Sequence, residues 1–459
     1  MPAQGPPAAT PLRIRTRRHA RLGPPASRRV RPAGGPASLP AMHLSKRVQA
    51  LKPSATLAVN QRAAELRAAG VDVLSFAAGE PDFDTPPVVC DAAVESLRAG
   101  ATKYGPVPGS PDAREAIADK LRRENNIAGV TADHVVVSSG GKHSLYQLFQ
   151  ALLDPPEAPG DEPQEVVLPV PAWVSYRPQI ELAGGAVREV VTTADRDFKV
   201  PPDDLRAALN PRTRAVVLNS PSNPCGTMYT PDEIRALARV LADAAADGTA
   251  PHCVLVSDEL YDKITYGGID HLSPASIPEI AERTVTVNGL SKAYAMTGWR
   301  IGYLAGTGDF GLEVAKGVRK LQSQSTTSVP TFFNAAIRAA ITGADADARR
   351  MRDAFAARAA IAHEGIGAIP GFVCPRPTGA FYLFPDVSAH FGKRSAGGRS
   401  IDSAMDFAGA LLDEHHVAVV PGEDFGTGGE RCFRFSFACG EQQIRAGLER
   451  IGAFVRELA

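Results

Sequence analysis

Residues 284–303 read TVTVNGLSKAYAMTGWRIGY, and this stretch decides how the rest of the chain is interpreted. The β-branched run 284–287 predicts a short buried strand. Lys292 follows that strand, and Arg300 comes shortly after it. Functional side chains of an open parallel sheet lie just beyond the carboxyl ends of its strands, so Lys292 is a candidate functional residue. An amine held beside a guanidinium in a partly apolar setting loses its proton more readily and can act as a nucleophile toward an aldehyde.

Short apolar runs of the same kind recur upstream, and helical patterns separate them. The predicted strands are 135–137, 166–168, 215–218, 254–256 and 284–287, and helices are predicted at 91–98, 112–124, 145–153 and 233–246. Continuous β-branched runs that alternate with helices predict a mainly parallel sheet buried on both faces. We therefore expect an α/β fold whose large domain spans residues 86–330.

The pattern changes in the last third of the chain. Residues 332–364 form a long alanine-rich stretch that predicts one helix, and alternating strand patterns follow at 379–384 and 432–437. These features predict a smaller α+β domain at 331–459, to which residues 42–85 contribute an N-terminal segment.

The first 41 residues differ from the remainder in composition. They contain eight Arg and nine Pro but no Lys, Asp or Glu, and they show neither a helix nor a strand period. Such a composition is typical of a disordered tail. Two further interpretations of residues 1–41 stay open, a targeting segment and a true start of translation at Met42. The whole chain has a formal net charge of +0, but without this segment the remainder carries −8, which argues against a nucleic-acid or membrane-surface partner.

Cysteine usage and hydropathy exclude further classes. The six Cys are scattered and none forms a Cys-x-x-Cys pair, which argues against a disulfide framework or a metal site and favours a reducing compartment such as the cytoplasm. No run of about 18 apolar residues predicts a membrane span. Gly306-x-Gly308-x-x-Gly311 matches a dinucleotide motif, but no acidic residue follows about 20 positions later, so we reject a dinucleotide site.

Two further strand ends carry polar side chains. Asp258 and Tyr261 follow the strand at 254–256, and Asn223 follows the strand at 215–218. An Asp at a strand end can pair with a pyridinium nitrogen and keep it protonated, which makes the ring an electron sink. Tyr261 and Asn223 could donate to an oxygen of the same ring. Taken alone, Asp258 is better interpreted as a helix N-cap and Asn223 as part of an Asn-Pro turn.

Other positions suggest anion or ring binding. Gly140 and Gly141 open a predicted helix whose N-terminal N–H groups suit a phosphate, and Lys142 at that end needs an anion to offset the helix dipole. Trp173 could stack on a planar ring or pack in the core. Arg434 projects from an apolar strand and suits a carboxylate, with an internal ion pair as the alternative.

Together these segments resemble the class I aminotransferases, the fold-type-I pyridoxal-5′-phosphate enzymes, over essentially all of residues 43–459. Ser291-Lys292 with Arg300 matches the Schiff-base signature of that family, and the other candidates follow in the family's order. The resemblance implies a large, mainly parallel α/β domain with a smaller α+β domain, a homodimer, and pyridoxal 5′-phosphate as the cofactor.

The resemblance also implies a role for each position. Lys292 would carry the cofactor as a Schiff base, Asp258 would pair with the pyridine nitrogen, and Arg434 would bind the substrate α-carboxylate. The other implied contacts are Asn223 and Tyr261 at the ring oxygen, Gly140, Gly141, Arg300 and Tyr104 of the partner subunit at the phosphate, Trp173 stacked on the ring, and Gly79 approaching the substrate through its backbone.

A narrower resemblance concerns the substrate. Residues 44–56 and 138–142 resemble the bacterial aspartate aminotransferases of subgroup Ib, some of which also use prephenate. The positions that recognise the distal carboxylate in that subgroup are Ser54, Thr56 and Lys142 here. The resemblance therefore implies a dicarboxylic amino acid as the amino donor.

The expected activity is transfer of an amino group from an L-amino acid, aspartate first, to a 2-oxo acid such as 2-oxoglutarate, by a ping-pong mechanism through Lys292. The chain departs from the subgroup at His143, where Gln is usual, and at Cys225, where Thr is usual. Aminotransferases for prephenate, aromatic or other amino acids stay alternatives, as does another amino-acid reaction on the same lysine. In a different class, a cofactor-binding transcription regulator would need a DNA-binding domain, and residues 1–41 are too short and Pro-rich to form one.

Overall fold

The computed structural model describes the chain from residue 42 onward, apart from two short gaps. The predicted tail, residues 1–41, lies outside the described residues. The chain divides after Gln49 into two units. The short helix Lys46–Gln49 belongs to the first, and the other elements described below lie in the second, residues 50–459. The described ranges are 42–51, 55–158 and 160–459, with the backbone alone at 55–58 and 60.

Helices and strands alternate through most of the described chain. The α-helices are α1 (Lys46–Gln49), α2 (Ala55–Ala68), α3 (Pro87–Arg98), α4 (Pro111–Arg123), α5 (Gly141–Leu152), α6 (Tyr176–Leu182), α7 (Pro202–Ala208), α8 (Pro231–Ala246), α9 (Gly308–Ser323), α10 (Phe333–Gly343), α11 (Asp345–Gly367), α12 (Ala404–His415) and α13 (Glu441–Glu457). The strands are β1 (Leu74–Ser75), β2 (Val135–Ser138), β3 (Glu165–Val170), β4 (Ala186–Val191), β5 (Thr213–Asn219), β6 (Val254–Asp258), β7 (Thr284–Gly289), β8 (Gly302–Ala305), β9 (Tyr382–Leu383), β10 (Lys393–Arg394), β11 (Ser400–Ile401), β12 (Val417–Ala418), β13 (Val420–Pro421) and β14 (Phe433–Ser436). Within these ranges no helix is long and apolar enough to cross a membrane.

Seven strands form the central sheet in the order β2-β8-β7-β6-β5-β3-β4. Strands β3 to β7 pair in parallel, while β8 runs antiparallel to both of its neighbours, which confirms the predicted α/β class with a mainly parallel sheet. Alternate residues of one strand lie in different apolar clusters, with Val166 and Leu168 of β3 on one face and Val167 on the other. Both faces are therefore covered, which is why these strands are apolar at successive positions.

Local sequence explains where several helices begin. Ser110 accepts a hydrogen bond from the backbone N–H of Ala113 at 3.2 Å, and α4 then starts with a proline. Thr230 and Glu233 cap α8 reciprocally, each side chain accepting from the other's backbone N–H at 2.7 and 3.3 Å. These caps satisfy N–H groups that have no intrahelical acceptor, and they fix the ends of helices that cover the sheet.

The alanine-rich stretch at 332–364 is two helices, so the prediction of one helix is wrong. The helical conformation is interrupted at Ala344, which lies between α10 and α11. Ile341 of α10 lies in the apolar cluster beside α3 and α4, and α11 leads from that same cluster at Ala348 into the cluster of the C-terminal region at Phe355. The domain boundaries expected from the sequence stay a prediction.

The sheet topology determines which loops can meet. Parallel strands β3, β5, β6 and β7 end at one edge, and the loops after them converge there. Strand β8 runs the other way, so the turn at Gly306 and the first turn of α9, which contains Gly311, lie at the opposite edge. A Cβ on Gly306 would lie 2.8 Å from the Cα of Gly311, so these glycines allow β8 and α9 to pack closely.

Candidate active site

One cavity of about 1050 Å³ opens at the carboxyl edge of the central sheet, and most of the predicted site residues line it. The predicted residues in its wall are Gly79, Gly141, Lys142, Trp173, Asn223, Asp258, Tyr261, Lys292, Arg300 and Arg434. Gly140 lies beside the cavity, against Arg300. Tyr104 is not in the wall and is 92% exposed. Ser54 lies outside the described residues, and the side chain of Thr56, in α2, is not among the described side chains.

Lys292 reaches into this cavity from the turn that follows β7. Its Nζ donates a hydrogen bond to the backbone oxygen of Gly79. Burial and, after it, the positive charge of Arg434 lower the pKa of this amine to about 8. A minor fraction of the amine, far larger than in an ordinary lysine, is therefore uncharged near neutral pH and can act as a nucleophile or a base.

Asp258 is the last residue of β6 and is buried. The hydroxyl of Tyr176 donates to its carboxylate at 2.6 Å, and the backbone N–H of Leu260 donates at 3.2 Å. Burial raises the pKa of this carboxyl to about 6, and the negative charge of Glu259 adds to the rise against the two hydrogen bonds. Residues 259–264 form no helix, so the interpretation of Asp258 as a helix N-cap is wrong. Within the described chain no cationic side chain pairs with Asp258, and a protonated ring nitrogen would supply that charge.

Arg434 lies in β14 and is 5% exposed. Its Nη1 donates to Oδ1 of Asn223 and its Nη2 to the backbone oxygen of Ala77, both at 3.0 Å. Its Nε has no hydrogen-bond partner, and no acidic side chain of the described ranges pairs with this guanidinium. The alternative of an internal ion pair is therefore not realised there. A buried cation in this state calls for an anion from outside the protein.

The start of α5 forms a cradle with a cationic wall. Gly140 precedes the helix with a φ of 89°, and a Cβ there would overlap the guanidinium of Arg300. Arg300 is held by a 2.8 Å hydrogen bond from its Nη1 to the backbone oxygen of Thr297. The first N–H groups of a helix have no intrahelical acceptor, so this end of α5 and Arg300 together suit a phosphate.

Lys142 and Trp173 form the wall on the other side of the same helix end. The Nζ of Lys142 lies 5.0 Å from the centre of the Trp173 ring, within the range of a cation–π contact. Burial, followed by the charge of Arg300, lowers the pKa of this lysine. Trp173 is half-buried and is not a simple core residue.

Sequence reasoning missed two tyrosines of the cavity wall. Tyr176 binds Asp258 as described, and Tyr382 lies with its hydroxyl 3.1 Å from that of Tyr261. Tyr382 falls in the predicted strand 379–384, but the pairing of that strand depends on a register that the sequence pattern does not give.

These groups fit pyridoxal 5′-phosphate. A partly uncharged lysine amine, a buried carboxyl without a cation, a glycine-bounded phosphate cradle and a buried guanidinium without an anion surround one cavity. On a mainly parallel α/β sheet, this set defines a fold-type-I pyridoxal-phosphate enzyme.

Comparison with known proteins makes the class more specific. A sequence model of the family described as aminotransferase class I and II matches residues 71–451. The aspartate aminotransferase of Geobacillus stearothermophilus is 43% identical over 419 residues, covering 91% of this chain and 100% of that relative. The aspartate/prephenate aminotransferase of Thermus thermophilus is 44% identical over 410 residues, covering 89% and 97%. The crystal structure of the aspartate aminotransferase from Rhizobium meliloti superimposes with a TM-score of 0.84 at 37% identity, covering 91% of this chain and 100% of that one.

The chain therefore belongs to the class I and II aminotransferases and is a pyridoxal-phosphate-dependent enzyme. The family, the fold and the cofactor expected from the sequence are confirmed.

Proposed function

We propose that this enzyme transfers the amino group of L-aspartate to a 2-oxo acid, with 2-oxoglutarate as the expected acceptor, in two half-reactions at one cavity. The observation that carries the proposal is that two cationic groups, Arg434 and Lys142, line the same cavity as Lys292. A dicarboxylic amino acid offers one carboxylate to each of them. Three relatives at 39–43% identity are named aspartate aminotransferase, which supports the same substrate.

Lys292 is proposed as the proton-transferring base. Pyridoxal phosphate, when bound, supplies an electron-accepting ring that stabilises negative charge at the substrate Cα. Asp258 would hold a proton on the ring nitrogen, since its buried carboxyl has no other cation to pair with among the described residues. Lys292 would take the Cα proton and return it to the neighbouring cofactor carbon, so one base would serve both transfers. Its pKa of about 8 suits both directions near neutral pH.

The remaining cavity residues are proposed to hold the cofactor. The Oδ1 of Asn223 already accepts from Arg434, which leaves its amide N–H groups to donate to the ring oxygen beside the hydroxyl of Tyr261. Gly140 and Gly141 at the start of α5, with Arg300, would bind the phosphate, and Trp173 would stack on the ring.

The substrate is proposed to lie between Arg434 and Lys142. Arg434 would take the α-carboxylate through its unused N–H groups. Gly79 would allow close approach, because its backbone already contacts Lys292. Lys142 would take the distal carboxylate, together with Ser54 and Thr56 as the resemblance implies.

Prephenate is a second candidate substrate. Two relatives at 41% and 44% identity carry the name aspartate/prephenate aminotransferase. Prephenate is a dicarboxylic 2-oxo acid, so the same two cationic groups could bind it. His143 is next to Lys142 and is half-buried. Because Gln is usual at this position in the subgroup, His143 is the residue that would change the preference between aspartate and prephenate in this chain.

A homodimer in which Tyr104 reaches the partner's phosphate site is part of the proposal. Support comes from the exposure of Tyr104, which is 92%, and of the apolar Val88 and Leu97 of α3, which are 42% and 45% exposed. Sedimentation should give a dimer, and Tyr104→Phe should weaken cofactor retention. A monomer with full activity would contradict this part. The six cysteines are free thiols, which supports a cytoplasmic location.

A half-reaction screen tests the function. The holoenzyme is mixed with aspartate, glutamate, alanine, phenylalanine or arogenate, and the visible absorption of the bound cofactor is followed. Aspartate and glutamate should convert the cofactor fastest, and the converted enzyme should return to its first form with 2-oxoglutarate. Comparable return with prephenate supports the second candidate. Conversion by phenylalanine but not by aspartate would refute the proposed donor.

A further inference from the structure

Tyr382 is fully buried in the protein core and also lines the cavity. In the pairing of β9 with β14, Tyr382 stands opposite Ser436, so it lies diagonally from Arg434 on the same face. The ring centre of Tyr382 is 4.7 Å from the Cζ of Arg434, and the ring of Phe425 is 5.5 Å from that atom. The guanidinium is thus held by two aromatic rings as well as by its hydrogen bonds.

The hydroxyl of Tyr382 lies where the cofactor and substrate ends of the cavity meet. Its Oη is 3.1 Å from the Oη of Tyr261. A Cβ on Gly79 would lie 3.2 Å from this oxygen, so a larger residue at position 79 would crowd the hydroxyl of Tyr382. Tyr382 therefore lies beside Tyr261, Arg434 and Gly79. The backbone oxygen of Gly79 in turn accepts a hydrogen bond from Lys292.

The direction of the hydrogen bond between the two tyrosines follows from the role proposed for Tyr261. Burial raises the pKa of Tyr261 and of Tyr382, so both phenols are protonated near neutral pH. The Oη of Tyr382 has one hydrogen-bond partner within the described ranges, the Oη of Tyr261. The Oη of Tyr261 likewise has no other partner there, so either hydroxyl can donate in the protein alone. When Tyr261 donates to the ring oxygen, as proposed above, Tyr382 is the hydroxyl that donates to Tyr261. The proton of Tyr261 is then left for an acceptor in the cavity, and the chain of two hydroxyls strengthens that donation.

We propose that Tyr382 is a positioning residue of this site, which aims the hydroxyl of Tyr261 at the cofactor's ring oxygen and supports the guanidinium of Arg434 for the substrate carboxylate. This inference rests on the roles proposed above for Tyr261 and Arg434. The hydroxyl of Tyr382 acts on Tyr261 and its ring acts on Arg434. The two effects can therefore be separated by substitution.

The experiment compares three variants of the holoenzyme. Tyr382→Phe removes the hydroxyl and keeps the ring, and Tyr382→Leu removes both. Tyr266→Phe is the matched control, because Tyr266 is a buried tyrosine of the same apolar cluster whose hydroxyl donates to the backbone of Ala380, away from the cavity wall. Two quantities are measured, the pH midpoint of the visible absorption of the bound cofactor and the dissociation constant of maleate, a dicarboxylate without an amino group.

Each variant has its own expected pattern. A weaker donor stabilises an anionic ring oxygen less, so Tyr382→Phe should raise the pH midpoint by about half a unit while maleate binding stays within about twofold of wild type. Tyr382→Leu should show a similar rise and also bind maleate about tenfold more weakly, as the loss of a desolvated cation–π contact requires. Tyr266→Phe should change neither quantity.

The outcomes that overturn the inference are equally distinct. An unchanged midpoint in Tyr382→Phe would refute the role of the hydroxyl, and equal maleate affinity in the Phe and Leu variants would refute the role of the ring. A purely structural role would lower the melting temperature without moving the midpoint, and this too would refute the inference. Tyr382→Met replaces the Leu variant where the latter does not accumulate in folded form. A wild-type enzyme inactive toward aspartate would refute the proposed function, while the absorption titration would still test Tyr382.

Discussion

Asp258 and Glu259 are consecutive buried carboxylates with opposite surroundings. Asp258 faces the cavity and pairs with no cation of the described chain. Glu259 points away from it, is 1% exposed, and accepts from Ser257, Ser273 and Asn125 at 2.9, 2.7 and 3.0 Å. Behind the cavity, Asn125 also accepts a hydrogen bond from Lys120, which is ion-paired with Asp262. We refer to the whole set as the Glu259 cluster, whose members are Lys120, Asn125, Ser257, Glu259, Asp262 and Ser273.

The difference between the two regions lies in whether charges have partners. Inside the Glu259 cluster, Lys120 is ion-paired with Asp262 and donates to Asn125 at 2.8 Å. Burial acts to raise the pKa of Asp262, but the charge and hydrogen bond of Lys120 together with the charges of His271 and Lys263 outweigh it, so this pKa is lowered. The pKa of Asp258 is raised instead. In this protein, burial of a charge does not by itself mark function. The mark is a buried charge that faces the cavity and that the fold leaves without a counter-charge.

Replacing Lys292 should give the largest effect on the cavity side. Lys292→Ala removes both the cofactor attachment and the proposed base, so kcat with aspartate should fall by about 10⁵-fold. The visible absorption of a lysine-linked cofactor should also disappear. Thermal unfolding serves as the control and should change little, because the amine has no ion-pair partner within the described ranges. Turnover near the wild-type rate would refute the assignment of Lys292.

The next effect separates the two neighbouring carboxylates directly. Asp258→Asn keeps the shape but cannot hold a proton on the ring nitrogen, so kcat should fall by about 10³-fold. Glu259→Gln is the matched variant one residue away, and it should keep kcat within about tenfold while lowering stability. Both are measured as steady-state rates with the cofactor in excess. If Glu259→Gln lost as much activity as Asp258→Asn, the proposed division between the two regions would be wrong.

The sequence predicts the cavity side better than the Glu259 cluster behind it. Lys292, Asp258, Asn223 and Trp173 follow strand ends, and parallel strands bring their carboxyl ends together whatever the exact register. Tyr382 depends on the register of β9 against β14, which alternation alone does not fix.

The other failures concern features without a local sequence signal. The pairing of Lys120 with Asp262 joins residues 142 positions apart, and no local pattern marks it. The break at Ala344 is likewise unmarked in the sequence, since alanine favours a helix on either side of it.

Breaking the ion pair of the Glu259 cluster should act on stability and not on chemistry. Lys120→Met leaves the carboxylate of Asp262 buried without its partner, which should lower the free energy of unfolding by about 3–5 kcal/mol. Activity per folded molecule should stay within about twofold. Chemical denaturation of the holoenzyme measures the first quantity and active-site titration the second.

An exposed ion pair provides the control for that experiment. Lys316 pairs with Glu313 at 3.6 Å with both side chains more than 60% exposed, so Lys316→Gln should cost less than about 1 kcal/mol. Equal losses in Lys120→Met and Lys316→Gln would show that the Glu259 cluster does not have the structural role inferred for it.

The smallest effect concerns the pH at which Lys292 becomes reactive. Its folded pKa of about 8 lies below the ordinary 10.5, so the uncharged fraction grows as pH rises toward and through 8. Capture of pyridoxal phosphate by cofactor-free enzyme should therefore accelerate with pH and level off above this value. Arg434→Met removes the cation that, after burial, lowers this pKa most, so the midpoint should move up by about one pH unit. Arg235→Met, which removes an exposed arginine paired with Asp232, should leave the midpoint in place. A midpoint in Arg434→Met equal to that of wild type would mean that the charge of Arg434 does not set the reactivity of Lys292. The unpartnered charges of the cavity would then act on the substrate but not on one another.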